Sequence, residues 1–235
     1  MTIRTIKFLR TKIILIFFIA VMLVSCVSRR SNIFIPVPDP GFFEQEKTIG
    51  FAFGDIIGTR DGASARIMPE WLRRYINGGI EAVEDMTEYK NKYVFIGTNR
   101  GSNQVILNKW AEVFSPVYDF PVLAAGRIEK RIIASSTMYP EYEYGAFYEN
   151  FVIRSYGSSY PDTVKEDSYW IRIKTDNGNG ASSEAIVYFI LITTEKYAMQ
   201  SVINTMFSQT ENSVRITNAQ AYAVKRLHQN FFEGF

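Results

Sequence analysis

Two side chains that most often do chemistry occur once each in this chain: His228 and Cys26. Paired-histidine metal sites, cysteine quartets, Cys/His dyads and Ser/His/Asp triads would all depend on one of these residues, and neither has partners at a recognisable spacing. His228 falls near the end of the last expected helix, where a solvated cation is mildly favoured. A serine–lysine nucleophile has no local signature. Glu141, Glu143 and Glu149 raise a glycosidase pair, which needs two carboxyl groups about 5 to 10 Å apart across a cleft. Charged residues alternating with aromatics describe an exposed strand face equally well. Asp176 to Gly180 superficially has the composition of a calcium loop. The twelfth position from Asp176 is Val187, where such a loop needs a bidentate glutamate, so the cluster reads as a hairpin turn. Gly54 to Gly62, with Asp55, Arg60 and Asp61, has backbone N–H groups for an anion. It lacks the P-loop lysine and the three-glycine dinucleotide fingerprint, and reads as a structural turn. No catalytic, cofactor-binding or metal-ligating residue is assigned. The expectation is a protein that is not an enzyme, with a carboxylate-dependent hydrolase as the distant alternative.

The densest functional hint is aromatic. Tyr139, Tyr142, Tyr144, Phe147, Tyr148, Phe151, Tyr156 and Tyr160 place eight rings in 22 residues. Tyrosine joins a rigid apolar ring to a polar tip, which suits protein docking or stacking on a sugar. Tyr139, Tyr142, Tyr144, Tyr148, Tyr156 and Tyr160 are therefore the candidate binding surface. The plainer reading of the same residues is a strand whose alternate rings line the core.

The elements that must position these residues follow from periodicity. Thr48 to Phe53 reads as a first strand ended by Gly54. A helix is expected from about Pro69, with Trp71, Leu72, Tyr75, Ile76, Ile80, Val83 and Met86 on one apolar stripe and Gly78 and Gly79 marking a bend or a close contact. Tyr93 to Gly97 is a short strand. Two helical patterns follow, one with Val105, Ile106, Trp110, Val113 and Phe114, the other with Leu123, Ile128, Ile132 and Ile133, with Pro116 and Pro121 between them. Phe147 to Ser155 and Tyr169 to Thr175 alternate as strands. Ala185 to Thr194 is a near-continuous apolar run of the kind buried on both faces, paired antiparallel with its predecessor across the hairpin. Lys196 to Phe207 is helical, and a final helix from about Asn218 to Phe232 presents Tyr222, Ala223, Leu227 and Phe231. The expected fold is a single α+β domain with helices packed on a mostly antiparallel sheet. Phe235 matches the last residue of outer-membrane barrels, but the helical reading before it excludes one.

Composition separates the first residues from the rest. The chain has 235 residues, 47% hydrophobic and 21% charged, enough apolar material for one core. Its formal charge is +2, yet Arg4, Lys7, Arg10 and Lys12 fall in the first 25 residues, which contain no acid. Setting those four apart leaves 22 bases against 24 acids, a net of −2, so no basic footprint for nucleic acid remains. Ile13 to Val24 is unbroken apolar sequence of twelve residues. As a helix it spans roughly 18 Å against about 30 Å of hydrocarbon, which fits the order of a secretory signal peptide rather than a membrane span.

Leu23, Val24, Ser25 and Cys26 resemble the lipobox of bacterial lipoproteins. That resemblance implies a signal peptide over residues 1–25, cleavage between Ser25 and Cys26, diacylglycerol on the Cys26 sulfur and an acyl group such as palmitate on the new amine. More than one chain gives a lasting anchor, at roughly 0.8 kcal/mol per buried methylene. With Val27 rather than aspartate next, the outer membrane of the envelope is favoured over the inner. Residues 26–47 form the lipidated start and a tether in which Pro36, Pro38 and Pro40 pre-set extended backbone. Fifteen such residues reach roughly 45 Å at about 3.1 Å each. Ile33, Phe34, Ile35, Phe42 and Phe43 are apolar enough for part of it to pack back. Residues 48–235 form the globular domain.

Within that domain, Thr48 to Gly54, Pro69 to Met86, and Tyr169 to Thr194 with Trp170 and Tyr188 resemble a domain typified by a twenty-kilodalton bacterial surface lipoprotein and also found in flagellar assembly proteins. Gly101 to Tyr160 exceeds a minimal version of that domain. The resemblance implies a non-catalytic envelope role. The expected function is a membrane-anchored lipoprotein with a structural, assembly or protein-binding role, needing no cofactor. Its expected partners are the membrane, through the lipid, and another envelope protein. The alternative is a carbohydrate- or peptidoglycan-binding lipoprotein using the tyrosine-rich segment 139–160.

Overall fold

In a computed structural model, residues 50–62, 67–136, 145–176, 182–233 and 235 are described. Leu23 to Cys26, the tether, Glu141, Glu143, Tyr139, Tyr142, Tyr144 and Asn177 to Gly180 lie outside them.

The central feature is the strand read from Ala185 to Thr194. It runs as β4, Ser182–Glu195, and its residues alternate between two cores. Ile186, Tyr188, Ile190 and Ile192 face one, while Val187, Phe189 and Leu191 face the other. A strand covered on both faces has no use for polar alternation, which is why the sequence is apolar without a break. β3, Thr163–Asp176, pairs with it antiparallel. β2, Lys92–Gly101, lies on its other side, and β1, Ile56–Thr59, pairs with β3, giving the order β1-β3-β4-β2 with every pair antiparallel.

One face of the sheet is covered by α1, Glu70–Glu84, through Trp71, Leu72, Tyr75 and Val83. Pro69 precedes its first turn as expected, and the bend is at Gly79, whose φ of 72° and ψ of −166° break the helix in two. The opposite face carries α2 (Gln104–Val113), α3 (Phe120–Ser136), α4 (Gly145–Tyr156), α5 (Lys196–Ser213) and α6 (Asn218–Asn230). Phe147, Phe151, Phe207 and Phe231 meet there in one aromatic cluster, with ring centroids 4.5 Å apart for Phe151 and Phe207. Local chemistry starts two of these helices: Asn103 accepts from the Val105 and Ile106 amides, and Thr217 with Gln220 forms a capping box. This is the α+β arrangement expected, with helices on an antiparallel sheet; the described residues fall in one compact unit. None of their helices is long and apolar enough to cross a membrane.

Four local expectations are corrected. Phe147 to Ser155 is not a strand but the body of α4, because Phe147, Phe151 and Ser155, four residues apart, form its buried stripe. Among the described residues the first strand follows Gly54 rather than ending at it. Phe53–Asp55 is a single tight turn, and Phe51 and Phe53 pack against the α1-side core instead of pairing. Pro121 lies in the first turn of α3, where its missing N–H costs nothing. On α2 the buried residues are Leu107 and Ala111, which leaves Val105, Ile106 and Val113 in solvent at 76%, 65% and 61% exposure.

Candidate functional site

β2 is an edge strand, and among the described residues nothing pairs with its outer side. Its first outward-facing groups are nevertheless occupied. The Val94 amide donates to Glu84 Oε1 at 2.8 Å, and the Val94 carbonyl accepts from Arg127 Nη1 at 2.9 Å. Arg127 Nη1 lies 2.8 Å from Glu84 Oε1, with both side chains nearly buried. The Arg127 guanidinium also sits 4.9 to 5.2 Å from the ring centroids of Tyr93, Phe95 and Phe235. A short plug of side chains therefore closes the sheet edge at Val94.

In an antiparallel strand the bonding direction alternates, so Ile96 turns its N–H and C=O the same way as Val94. Beside it opens a cleft of about 260 Å³ between the strand edge and α2–α3. Gly97 lines it beneath packed neighbours: a Cβ at that position would stand in ordinary van der Waals contact with Ile190 Cβ at 3.7 Å and with Leu123 Cδ1 and Phe114 Cε2 at 3.8 Å. Trp110 and Phe114, edge to face at 6.3 Å, form the wall that α2 contributes, and Phe95 closes the inner end. α2 stops at Val113, and the turn that follows is fastened by Asp119 Oδ2, which accepts from the Ser115 amide at 2.7 Å; this turn brings Phe114 over the cleft. Asp119 and Lys130 line the mouth. Val113 lines the opening, and Val117 and Tyr118, 72% and 81% exposed, follow it in the turn after α2, while Val105 and Ile106 are exposed in the first turn of that helix.

The tyrosine-rich segment is placed differently from the expectation. Tyr160 is buried, its hydroxyl donating to the Ser155 carbonyl at 2.8 Å and its ring edge-on to Phe120; burial pushes its phenol well above the ordinary range. Tyr148 is half-buried and donates to Glu129 Oε1 at 3.0 Å. Tyr156 is half-buried, and its hydroxyl finds no hydrogen-bond partner among the described residues; burial, then the Glu129 charge, raises its pKa. Of these three, Tyr160 is withdrawn into the core, while Tyr148 and Tyr156 are each partly exposed on the helix α4 rather than on a strand.

The other candidates resolve into packing. His228 is stacked on Phe207 at 4.2 Å between centroids, and its Nε2 is 2.8 Å from Asn204 Oδ1. Glu149 is exposed on α4. Arg60, in the loop after β1, donates to the Ser168 carbonyl at 2.7 Å and lies over the Tyr169 ring, fastening β1 to the sheet. Among the described residues no three of His, Cys, Asp and Glu gather as a metal cluster would require.

One polar group spans three strands: Glu166 Oε1 lies 2.8 Å from Lys92 Nζ and accepts from Thr193 Oγ1 at 2.6 Å. Burial raises the Glu166 pKa, but those hydrogen bonds together with the Lys92 charge outweigh it and hold the carboxyl below its ordinary value. Nearby, burial first and then the charges of Glu88, Glu166 and Asp167 push the Tyr89 phenol up to about 12. Lys92, Glu166 and Thr193 satisfy one another, an arrangement that ties strands rather than one poised for proton transfer.

The cleft residues escaped the sequence reading. The available signals were Gly97 inside a strand, which marks a close backbone approach, and an apolar excess on α2 beyond what one buried stripe needs. Comparison of the chain with protein-family models, curated proteins and solved structures gives no match.

Proposed function

We propose that this chain is a lipid-anchored, non-catalytic envelope protein that binds a protein partner through the cleft beside β2 and the exposed turn that follows α2. The anchor reading is supported by Leu23 to Cys26 with the basic and apolar segments before them, and by the implied envelope role of the surface-lipoprotein resemblance. The contact reading is carried by one observation: an apolar opening at a sheet edge, lined in part by exposed Val113 and followed in sequence by exposed Val117 and Tyr118. Small-molecule sites run to about 300 to 1,000 Å³. At about 260 Å³ this cleft suits one or two side chains of a partner better than a cofactor. The burial of Tyr160 removes one of the rings on which the glycan alternative relied.

Two measurements test the proposal. Cys26→Ala is expected to abolish labelling by a clickable fatty acid, and labelling that persists refutes Cys26 as the attachment site. A photocrosslinking amino acid at Val113 or Tyr118 in intact cells is expected to give a discrete protein adduct that the same probe at Ser208, exposed on α5, does not give. Identical patterns at all three positions, or no adduct at Val113 and Tyr118, refute the contact surface.

A further inference from the structure

The geometry points to a second contact surface, on α5: a shallow groove that binds a neutral glycan strand of N-acetylglucosamine units, with one sugar stacked on Tyr197 and an acetamido group bonded to Asn204. This surface goes beyond the protein contact proposed above and shares no residue with it.

The charge pattern of α5 sets it apart. Tyr197 to Thr210 is the longest run without Asp, Glu, Lys or Arg in residues 48–235. The inner half of that run is buried through Ala198, Met199, Ile203, Met206 and Phe207, and the outer half is Tyr197 followed by hydroxyls and carboxamides. A solvated face ordinarily intersperses charges of both signs. Residues 197, 201, 204, 205 and 208 fall on one side of the helix, and with Gln200 they line a groove of about 440 Å³. That volume lies within the range of small-ligand sites. From Tyr197 to Ser208 the groove runs roughly 17 Å at about 1.5 Å per residue, a length that suits an oligosaccharide rather than a single sugar.

The polar groups of the groove are held in place. The Tyr197 ring is 68% exposed, yet its hydroxyl donates to Asp162 Oδ2 at 2.9 Å, which fixes the far end of the ring. An exposed, anchored ring is a platform for the C–H face of a sugar. His228 Nε2 lies 2.8 Å from Asn204 Oδ1; a carbonyl oxygen only accepts, so the imidazole donates and the Asn204 amide keeps its own donors for a ligand. Thr205 and Ser208 donate their hydroxyl protons to the Ser201 and Asn204 carbonyls at 2.9 and 3.2 Å, and so meet a ligand as acceptors. One stretch of helix therefore places an amide donor beside two hydroxyl acceptors. An acetamido group carries the complementary C=O and N–H together.

Charge decides against other ligands. Asp162 is the carboxylate that touches the lining, and it repels phosphate-bearing or carboxylate-bearing polymers. Lys196, at the head of α5, spends its ammonium on the Lys90 carbonyl at 3.0 Å and on the Tyr93 ring. A protein partner is anchored by buried aromatic or Arg side chains in a core of low polarity, whereas this lining holds one ring among hydroxyls and carboxamides.

The test uses the full chain in a zwitterionic detergent free of sugar, titrated with chitotetraose by isothermal calorimetry. Saturable binding is expected, with a Kd below about 1 mM. Tyr197→Ala removes the platform and is expected to weaken binding about tenfold or more, whereas Tyr197→Phe keeps the ring and should stay within about threefold of the parent. Asn204→Asp replaces the amide donor by an anion and is expected to weaken binding about tenfold or more. Both positions are exposed, so the thermal unfolding of each variant is measured beside its binding to separate a lost contact from a lost fold. Cellotetraose, with hydroxyls in place of the acetamido groups, should bind the unaltered protein about tenfold more weakly than chitotetraose. This comparison holds even where a variant fails to fold.

No saturable binding of chitotetraose up to about 1 mM overturns the proposal. So does binding that a folded Tyr197→Ala variant leaves unchanged, which would put the sugar elsewhere on the chain. Equal binding of cellotetraose overturns the acetamido contact and with it the choice of glycan. None of these outcomes moves the crosslinks at Val113 and Tyr118, so failure of the glycan groove and failure of the protein contact are read separately.

Discussion

Glu84 on α1 and Arg127 on α3 meet 2.8 Å apart at the outer edge of β2, and each holds one backbone group of the same residue, Val94. The pair joins helices from opposite faces of the sheet around its edge. Both side chains are nearly buried, so removing one partner strands the other's charge.

Arg127→Met is therefore expected to destabilise the domain by about 2 to 4 kcal/mol, because the guanidinium also faces Tyr93, Phe95 and Phe235. Glu84→Gln should cost less, since an amide still accepts from Val94. Urea unfolding of the two single variants and the double variant should give a coupling of about 1 kcal/mol or more. Additive losses would show that the two residues act independently.

Gly79 and Gly54 form an internal control for backbone strain. Gly79 has a φ and ψ that side-chain-bearing residues almost never adopt, whereas Gly54 has ordinary φ and open space where a Cβ would stand. Gly79→Ala is expected to lower stability by about 1 to 3 kcal/mol, and Gly54→Ala to change it by no more than a few tenths, about 0.5 kcal/mol. Equal thermal shifts for the two would argue against the bend in α1.

Tyr160 lies in the core, so Tyr160→Phe acts on stability alone. Loss of its bond to the Ser155 carbonyl should cost about 1 kcal/mol and leave the Val113 crosslink intact. A weakened crosslink with unchanged unfolding would return this tyrosine to the contact surface.

The same segment explains where the sequence was legible and where it was not. Phe147, Phe151 and Ser155 are four residues apart. An even spacing puts them on one side of a strand as well as on one face of a helix, so their pattern alone does not separate the two periods. The discriminating residues are Glu149 and Ile153, which share their parity yet are exposed, and Tyr148 and Val152, which do not share it yet pack against the core. The β3–β4 hairpin had no such ambiguity, because a ten-residue apolar run after a turn cluster fits only a strand covered on both sides. The Pro69 start and the Gly79 bend of α1 were legible from backbone chemistry. The cleft was not, since its parts come from 95–97, 110–114 and 122–127 and only the strand order brings them together.

Glu166 predicts an acid-side dependence. Its folded pKa is lowered below the ordinary value of 4.5, so the stability it supplies is present above the unfolded pKa and is lost as pH falls through the folded one. Glu166→Gln should be less stable than the parent at pH 7 by about 1 kcal/mol, and the two curves should converge below about pH 4. A gap that stays constant down to pH 2 would mean that Lys92 and Thr193 do not favour the ionised form.

After the packed residues Phe51 and Phe53, the first strand of the described domain is β1, a four-residue strand with an irregular register whose one strand neighbour among the described residues is β3. Tension arriving at its start would peel this short ribbon away pair by pair before it reached the fourteen-residue strands behind it. Force applied at residue 56 would therefore load the shortest strand of the sheet first, with β2 at the opposite margin.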